Sequence, residues 1–147
     1  MMKKSTFAVL SVFVLGVFLV FQNCGGSTEP NPKEVTENIL KSKTWKVVSV
    51  TVPVNSATES SDWVSFTVSF GASMTTSGHA SGAEAVWPTG AYTVSEDGKS
   101  VTRGDGVVMR LQPITETNFT SIFTVPPGTE IGGRIAALDG EYTFSMN

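Results

Sequence analysis

The sequence DWVSFTVSF, residues Asp62–Phe70, alternates between apolar and polar side chains over most of its length. One face carries the apolar set Val64, Phe66, Val68 and Phe70. The opposite face carries the polar set Ser65, Thr67 and Ser69. Successive side chains of a β-strand point to opposite faces of its sheet, so this segment predicts a strand whose apolar face belongs to a core.

Further segments of the same character lie along the chain, rich in Val, Phe, Thr and Tyr and separated by turn residues. They are Thr44–Val52, Ser73–His79, Ser81–Pro88, Ala91–Ser95, Lys99–Arg103, Val107–Gln112, Thr117–Val125 and Gly140–Met146. Glu96-Asp97-Gly98 is typical of a hairpin turn. Thr44–Val52 has valines on both faces, which indicates a bulge or a strand buried on both sides. Together these segments predict about eight strands.

The strands are not separated by helices, so the predicted fold class is all-β with antiparallel pairing. A meandering barrel and a β-sandwich both fit this pattern. We favour the barrel because Gly140–Met146 can pair with Thr44–Val52, which would remove an exposed edge. One short helix, Glu34–Ser42, is expected to pack against one end of the sheet.

The N-terminal part has the composition of a signal peptide. Lys3 and Lys4 precede Phe7–Phe21, an uncharged and largely apolar run. As a helix this run would be about 22 Å long, short of the roughly 30 Å hydrocarbon core of a bilayer, so a permanent transmembrane helix is the weaker interpretation. Cys24 follows where the apolar run has ended and a Gly/Ser/Pro-rich stretch begins. We therefore expect a signal peptide over residues 1–23.

Cys24 is the only cysteine in the chain, so it cannot form an internal disulfide. Its position is similar to the lipid attachment site of bacterial lipoproteins, in which a lipid is added to the cysteine and the chain is cut before it. The alternative is an ordinary secretory signal or an uncleaved anchor, with a free thiol at Cys24. In the lipidated interpretation, residues 24–33 form a flexible tether to the membrane and residues 34–147 form one domain.

Short aromatic and glycine landmarks in this domain carry a resemblance. They are Lys43-Thr44-Trp45-Lys46-Val47, Phe70-Gly71, Val86-Trp87-Pro88, Gly90-Ala91-Tyr92 and Arg103-Gly104-Asp105-Gly106. With the early helix, they make residues 34–147 resemble the small lipocalin-like lipoproteins of Bacteroidota. The resemblance implies a lipocalin-like meander barrel on a lipid-anchored protein of the cell envelope. The implied location is the outer membrane, facing the periplasm or the cell surface.

Composition and charge argue against several classes of function. The formal charge is −3 at pH 7, and it becomes more negative once Lys3 and Lys4 are removed. A nucleic-acid surface needs clustered basic residues, so no nucleic-acid partner is expected. The single histidine, His79, has no neighbouring acid or serine elbow in the sequence, so we interpret it as a solvated loop residue and predict no catalytic site. His79 and Cys24 together cannot supply a zinc ligand set, and no metal or cofactor is predicted.

The three tryptophans have the side chains best suited to binding. Trp45 begins a strand and is expected in the core. Trp63 falls on the face opposite to Phe66, so we expect it to be exposed and available to a sugar, a lipid or a protein. Trp87 is expected at the mouth of the barrel.

Two functions of different class remain for the domain. In the first, the barrel binds a small apolar ligand. Its lining would consist of Phe66, Phe70, Trp87, Tyr92, Phe119 and Phe123. In the second, the barrel is filled by its own side chains and is a structural or interaction module for an envelope protein. An aromatic-lined cavity would favour the first, and a filled interior with an exposed apolar patch near Trp63 the second.

Overall fold

The structure is a computed structural model that describes residues 29–128, 130–131, 134–135 and 137–147. The predicted signal peptide, Cys24 and the first part of the predicted tether lie outside these residues. The elements are helix α1 Pro32–Lys41, strand β1 Thr44–Thr51, a 3₁₀ helix Ser60–Trp63, β2 Thr67–Phe70, β3 Met74–Ser77, β4 Tyr92–Val94, β5 Ser100–Arg103, β6 Val108–Ile114, β7 Phe119–Val125, β8 Glu130–Ile131, β9 Arg134–Ile135 and β10 Gly140–Met146.

Eight strands form one antiparallel sheet in the order β3-β2-β1-β10-β7-β6-β5-β4. The two ends of this order meet where Met74 of β3 forms a bridge with Gly90, just before β4. The sheet is therefore a nearly closed barrel, which confirms the predicted all-β fold class. β8 and β9 form a separate two-stranded hairpin that the sequence pattern did not predict.

β1 and β10, the first and last strands in chain order, lie side by side, as the edge argument predicted. β1 pairs antiparallel with β10, with Val50 opposite Phe144. The register shifts between Val47 and Ser49, which is the bulge that the valines on both faces indicated. This pairing joins the β3-β2-β1 part of the sheet to the part that runs from β10 to β4.

The beginning of Asp62–Phe70 is not a strand, which corrects the sequence prediction. Ser60–Trp63 forms a 3₁₀ helix, and β2 begins only at Thr67. Glu59 and Asp62 form a capping box at the start of this helix, in which the Glu59 N–H donates to the Asp62 carboxylate at 2.8 Å. The strict alternation thus applies only to the second half of the segment.

This helical turn reverses the expected burial of two side chains. Trp63, which we predicted to be exposed, is 0% exposed, whereas Val64, which we predicted to be in the core, is 77% exposed. Side chains advance by roughly 100–120° per residue in a helical turn and by 180° in a strand, so the two-residue repeat fails here. The Trp63 ring packs edge-on against Phe66 at 5.3 Å and Phe144 at 4.9 Å.

Residues 78–91, which we call the strap, connect β3 to β4 outside any named strand or helix. The predicted strand over Ser81–Pro88 is therefore wrong. Two successive turns coil the strap, the second closed by a hydrogen bond from the Val86 N–H to the Ala83 carbonyl at 3.0 Å. The strap nevertheless buries Val86 and Trp87 completely, so it contributes to the core without regular structure.

Helix α1 begins two residues before the predicted start at Glu34. Asn31 caps it, with its side-chain oxygen accepting a hydrogen bond from the Lys33 N–H at 3.0 Å. Pro32 occupies the first helical position, where its lack of an N–H is harmless. The helix therefore takes in part of the predicted tether.

Helix α1 packs against one end of the barrel, as predicted. The Thr36 hydroxyl donates to the Gly98 carbonyl in the β4–β5 turn at 2.9 Å. The Trp45 indole N–H donates to the Leu40 carbonyl at 2.9 Å, and both of these side chains are buried. Trp45 thus belongs to the core, and it ties α1 to β1.

Asn31–Asn147 form one compact unit. The largest side chains buried in it are Trp45, Trp63, Trp87, Tyr142, Phe66, Phe119 and Phe144. All strands of the barrel and the whole of this core lie within the unit. It therefore holds the packing and the backbone pairing that a domain needs to fold by itself.

Candidate functional site

The six residues predicted to line a ligand site lie together inside the barrel, where they pack against one another. Three of them form one group of rings. The Trp87 ring centroid lies 5.2 Å from that of Phe66 and 5.3 Å from that of Phe123. All three are buried, so Trp87 lies in the core and not at the barrel mouth where we expected it.

The other three form a second group towards α1. The Phe70 ring centroid lies 5.3 Å from that of Tyr92 and 6.3 Å from that of Phe119. Tyr92 is half-buried, and its hydroxyl donates to the Gly71 carbonyl at 3.0 Å. The space between these side chains is occupied by their own rings.

Three further aromatic residues, which the sequence analysis did not name as lining, complete the filling. Phe144 lies 4.8 Å from Trp87 and 4.9 Å from Trp63 between ring centroids. Tyr142 stacks on Phe123 at 5.9 Å. The signal for Phe144 and Tyr142 was present, because both lie on the apolar face of the alternating strand Gly140–Met146. No sequence signal placed Trp63.

The Tyr142 hydroxyl is part of a small polar cluster within this filling. It lies 2.8 Å from the Ser56 hydroxyl and 3.2 Å from the Thr58 hydroxyl. Ser56 and Thr58 belong to the loop after β1, and Thr58 is buried. The cluster supplies hydrogen-bond partners to the buried Tyr142 hydroxyl, and it holds the loop against the core.

Among the side chains that the structure describes, Arg103 is the most buried charged one. It is 3% exposed, and its guanidinium lies 5.1 Å from the Phe123 ring centroid. One nitrogen, Nη1, donates to the Val86 carbonyl of the strap at 2.7 Å. The other two donate to Asp105, Nε at 3.1 Å and Nη2 in a shorter contact. Each of the three guanidinium nitrogens therefore donates a hydrogen bond.

Asp105 is the counter-ion of Arg103 and lies at the surface end of the pair. Burial raises the pKa of Asp105, but hydrogen bonds from Arg103 and from the Val107 N–H lower it by more, so its pKa lies below the ordinary value of 3.8. The carboxylate is therefore charged at neutral pH and neutralises the buried guanidinium.

His79 is not the solvated loop residue that we predicted. Its side chain is 21% exposed, and its ring packs against Phe66 with centroids 6.4 Å apart. Nδ1 lies 4.0 Å from a Glu84 carboxylate oxygen, beyond hydrogen-bond distance. Among the residues that the structure describes, no hydroxyl is hydrogen-bonded to this imidazole, so it is not paired with a nucleophile.

An apolar groove lies outside the barrel between β1 and the 3₁₀ helix, with a volume of about 380 Å³. Its lining consists of Val47, Val48, Ser49, Val50, Ser60, Ser61, Trp63 and Val64. Val48 is 62% exposed here, and the buried Trp63 forms part of the floor. Within the described residues the Trp63 indole N–H has no hydrogen-bond partner. We call this surface the valine groove.

A second open groove, of about 540 Å³, runs over the outer face of β6 and β7. Arg110 and Glu141 lie across it, with an ion-pair distance of 3.4 Å and both side chains mostly exposed. Such a pair is exposed to solvent and contributes little to stability. The groove mixes charged and apolar residues and brings no catalytic constellation together.

Within the ranges that the structure covers, no three His, Cys, Asp or Glu side chains meet as metal ligands. No helix among the same residues has both the length and the hydropathy to cross a membrane. Comparison of the chain with protein-family models, with curated proteins and with solved structures gives no match.

Proposed function

We propose that this chain is a lipid-anchored protein of the cell envelope whose barrel is a non-catalytic interaction module. The observation that carries the proposal is the filled interior. The rings of Phe66, Trp87 and Phe123 occupy the space that a ligand would need. A close-packed aromatic core makes a rigid scaffold, and a rigid scaffold acts through its surface.

The valine groove is the surface that we assign to the partner. Val48 and Val64 are exposed on it, and none of its lining side chains carries a charge. An uncharged apolar lining favours a partner that presents an aliphatic side chain within an uncharged segment, since burying a charge there would be costly. We therefore expect a protein partner with such a segment.

The sequence supports the anchor. The N-terminal segment, with Lys3, Lys4 and the apolar run Phe7–Phe21, has the composition of a signal peptide, and Cys24 follows this segment. Metabolic labelling of the full chain with an alkyne fatty acid tests the lipid. The full chain should carry the label and Cys24→Ser should not, whereas equal labelling of the two would contradict lipidation at Cys24.

Photo-cross-linking tests the partner surface. A photoreactive phenylalanine analogue is placed in the full chain at Val64 or, as the matched control, at Val108, which is also exposed but lies on β6. In the native envelope, position 64 should give a discrete product of higher mass and position 108 should not. Equal products at the two positions, or no product at position 64, would refute the assignment.

Native mass spectrometry tests the filled interior. Residues 29–147, which include the whole compact unit, should give the mass of the polypeptide alone after purification from a host that contains membranes. A retained mass of lipid size that is lost on denaturation would show that the resting barrel holds a ligand. In that case the proposal that the barrel is a filled interaction module would be wrong.

A further inference from the structure

The loop after β1, residues 52–58, projects an apolar side chain from the barrel. Val54 is 91% exposed, the highest fraction among the exposed large hydrophobic side chains that the structure describes. A hydrogen bond from the Ser56 N–H to the Pro53 carbonyl at 3.1 Å closes a turn around Val54. Asn55 in this turn has a φ of +70°, a conformation that asparagine adopts more readily than most residues. The turn therefore holds Val54 out in solvent, and we call residues 52–58 the projecting loop.

The base of the projecting loop is fixed to the barrel by hydrogen bonds. The Ser56 and Thr58 hydroxyls lie 2.8 Å and 3.2 Å from the buried Tyr142 hydroxyl. The Ala57 N–H donates to the Ala137 carbonyl at 2.6 Å. A loop that is already ordered loses little conformational freedom when it binds, so its apolar tip can contribute to association at a low cost in entropy.

The projecting loop lies at one end of the valine groove. It connects β1, which forms one wall of the groove, to the 3₁₀ helix, which forms the other. The two walls are joined next to the loop, where the Ser60 hydroxyl donates to the Val50 carbonyl at 3.0 Å. The apolar tip of the loop and the apolar groove are therefore neighbours on the molecule.

The projecting loop has the chemistry that the valine groove favours in a partner. The groove favours an aliphatic side chain within an uncharged segment, since burying a charge in it would be costly. Residues 47–58, which include the lining from β1 and the whole loop, contain no Asp, Glu, Lys or Arg. Val54 is the exposed aliphatic side chain of this segment. A second copy of the chain therefore offers what the groove requires.

Because the loop and the groove are neighbours, both can be used at once in a closed dimer. A two-fold axis between them places the loop of each copy in the groove of the other, so the same contact forms twice. Dimers of this symmetry are the commonest closed assemblies of identical chains. The arrangement removes Val54, Val48 and Val64 of both copies from water, which is the favourable term in such an association.

We propose that the partner of the valine groove is a second copy of this chain, and that Val54 of each copy enters the groove of the other in a two-fold dimer. The inference rests on the proposed interaction module and names its partner. In the proposed lipid-anchored state both copies are held at the same surface, which raises their effective concentration, as a short linker does, to roughly the millimolar range. A contact of low affinity therefore suffices for the anchored chains to associate.

Sedimentation equilibrium of residues 29–147 tests the dimer. Between about 1 µM and about 1 mM, the effective concentration of anchored chains, the mean mass should rise from one chain to two and not beyond. Val54→Glu and Val64→Glu place a charge in the contact and should each weaken association about a hundredfold or more. Val108→Glu is the matched control, because Val108 is also exposed but lies on β6. A single-chain mass up to the highest concentration, growth beyond two chains, or equal weakening by Val108→Glu overturns the proposal.

Cysteine cross-linking tests which surfaces meet. Residues 29–147 contain no native cysteine, so each variant carries a single thiol. Isotope-labelled Val54→Cys protein is mixed in a glutathione buffer with unlabelled Val48→Cys, Val64→Cys or Val108→Cys protein. At least one of the two groove positions should form the mixed disulfide about tenfold more than position 108 does, because thiols held in contact react as if highly concentrated. Equal yields from all three positions overturn the proposal.

Photo-cross-linking of the full chain separates failure of this inference from failure of the proposed function. Two copies with different affinity tags are produced together in the native envelope, one of them with the photoreactive analogue at Val64. A product that carries both tags supports the second copy as the partner. A discrete product with a different protein overturns the dimer and leaves the interaction module standing, whereas the absence of any product at position 64 overturns both.

Discussion

Substitution of Gly98 by alanine tests whether α1 is docked on the β4–β5 turn. Gly98 has a φ of +68°, and a Cβ there would lie 2.5 Å from the Pro32 carbonyl oxygen and 2.6 Å from the Thr36 hydroxyl. The left-handed conformation costs an L-residue about 1–2 kcal/mol. Displacing the helix would also break the Thr36 hydrogen bond, worth about 1 kcal/mol, and reduce the burial of Leu40. We therefore expect Gly98→Ala to lower the free energy of unfolding by about 3 kcal/mol or more.

Gly106 supplies the matched control in the neighbouring turn. It has a φ of +87° but nothing within 4 Å of its Cβ position, so Gly106→Ala isolates the conformational cost. That cost should be about 1–2 kcal/mol. Urea unfolding of residues 29–147, followed by tryptophan fluorescence, measures both values. A difference between the two variants of less than about 0.5 kcal/mol would refute the docking of α1 on this turn, because it is within the scatter of such comparisons.

Three further perturbations test the core and the Arg103–Asp105 ion pair. Trp87→Ala should lower the free energy of unfolding by about 3–5 kcal/mol, as for other large core side chains, and a loss no greater than that of Val108→Ala would place Trp87 outside the core. Tyr142→Phe should cost about 1–2 kcal/mol, because the Ser56 and Thr58 hydroxyls lose a buried partner, and a thermal melt with unchanged Tm would contradict this. The lowered pKa of Asp105 means that its contribution to stability is complete above pH 3.8 and is lost as the pH falls through the folded-state value. Urea unfolding between pH 5 and 2 should therefore show a shallower loss of stability for Asp105→Asn than for the parent, and parallel curves would exclude this role.

The pairing of β1 with β10 could be predicted because one physical argument decided it. Gly140–Met146 has a single apolar face, and leaving it unpaired would expose an edge. The bulge in Thr44–Thr51 was also visible, as valines on both faces of one strand. These features depend on the local alternation of apolar side chains and on the avoidance of unpaired strand edges. Both can be evaluated from the sequence alone.

The first half of Asp62–Phe70 was misread because period-two alternation over a few residues does not distinguish a strand from a tight helical turn. The capping pair Glu59 and Asp62, three residues apart, was the available signal for a helix start. A helical turn there removes the two-residue repeat by which Trp63 was assigned to the exposed face. For a short segment of this kind, the capping residues indicate better than hydropathy whether it forms a strand or a helical turn.

The filling of the interior could not be predicted. Whether rings such as Phe66 and Phe123 face a cavity or each other depends on strand register and on what the irregular strap inserts between them. Val86 and Trp87 have no periodic neighbours that would assign them to a face. The same six aromatic residues fit both a lined cavity and a solid core, and only their relative positions separate the two.

The pairing of β1 with the last strand also governs the order in which the domain can fold. The Lys46 N–H donates to the Asn147 carbonyl and the Asn147 N–H donates to the Lys46 carbonyl, both at 2.9 Å. These partners are about a hundred residues apart, so the loop between them must be closed at a high cost in chain entropy. Until β10 has left the ribosome, β1 has no partner on that side, and no shorter nascent chain can complete the sheet. We therefore expect slow, all-or-none folding that begins only once β10 is available, and before then the edge of β1 is an unpaired strand edge open to wrong pairing.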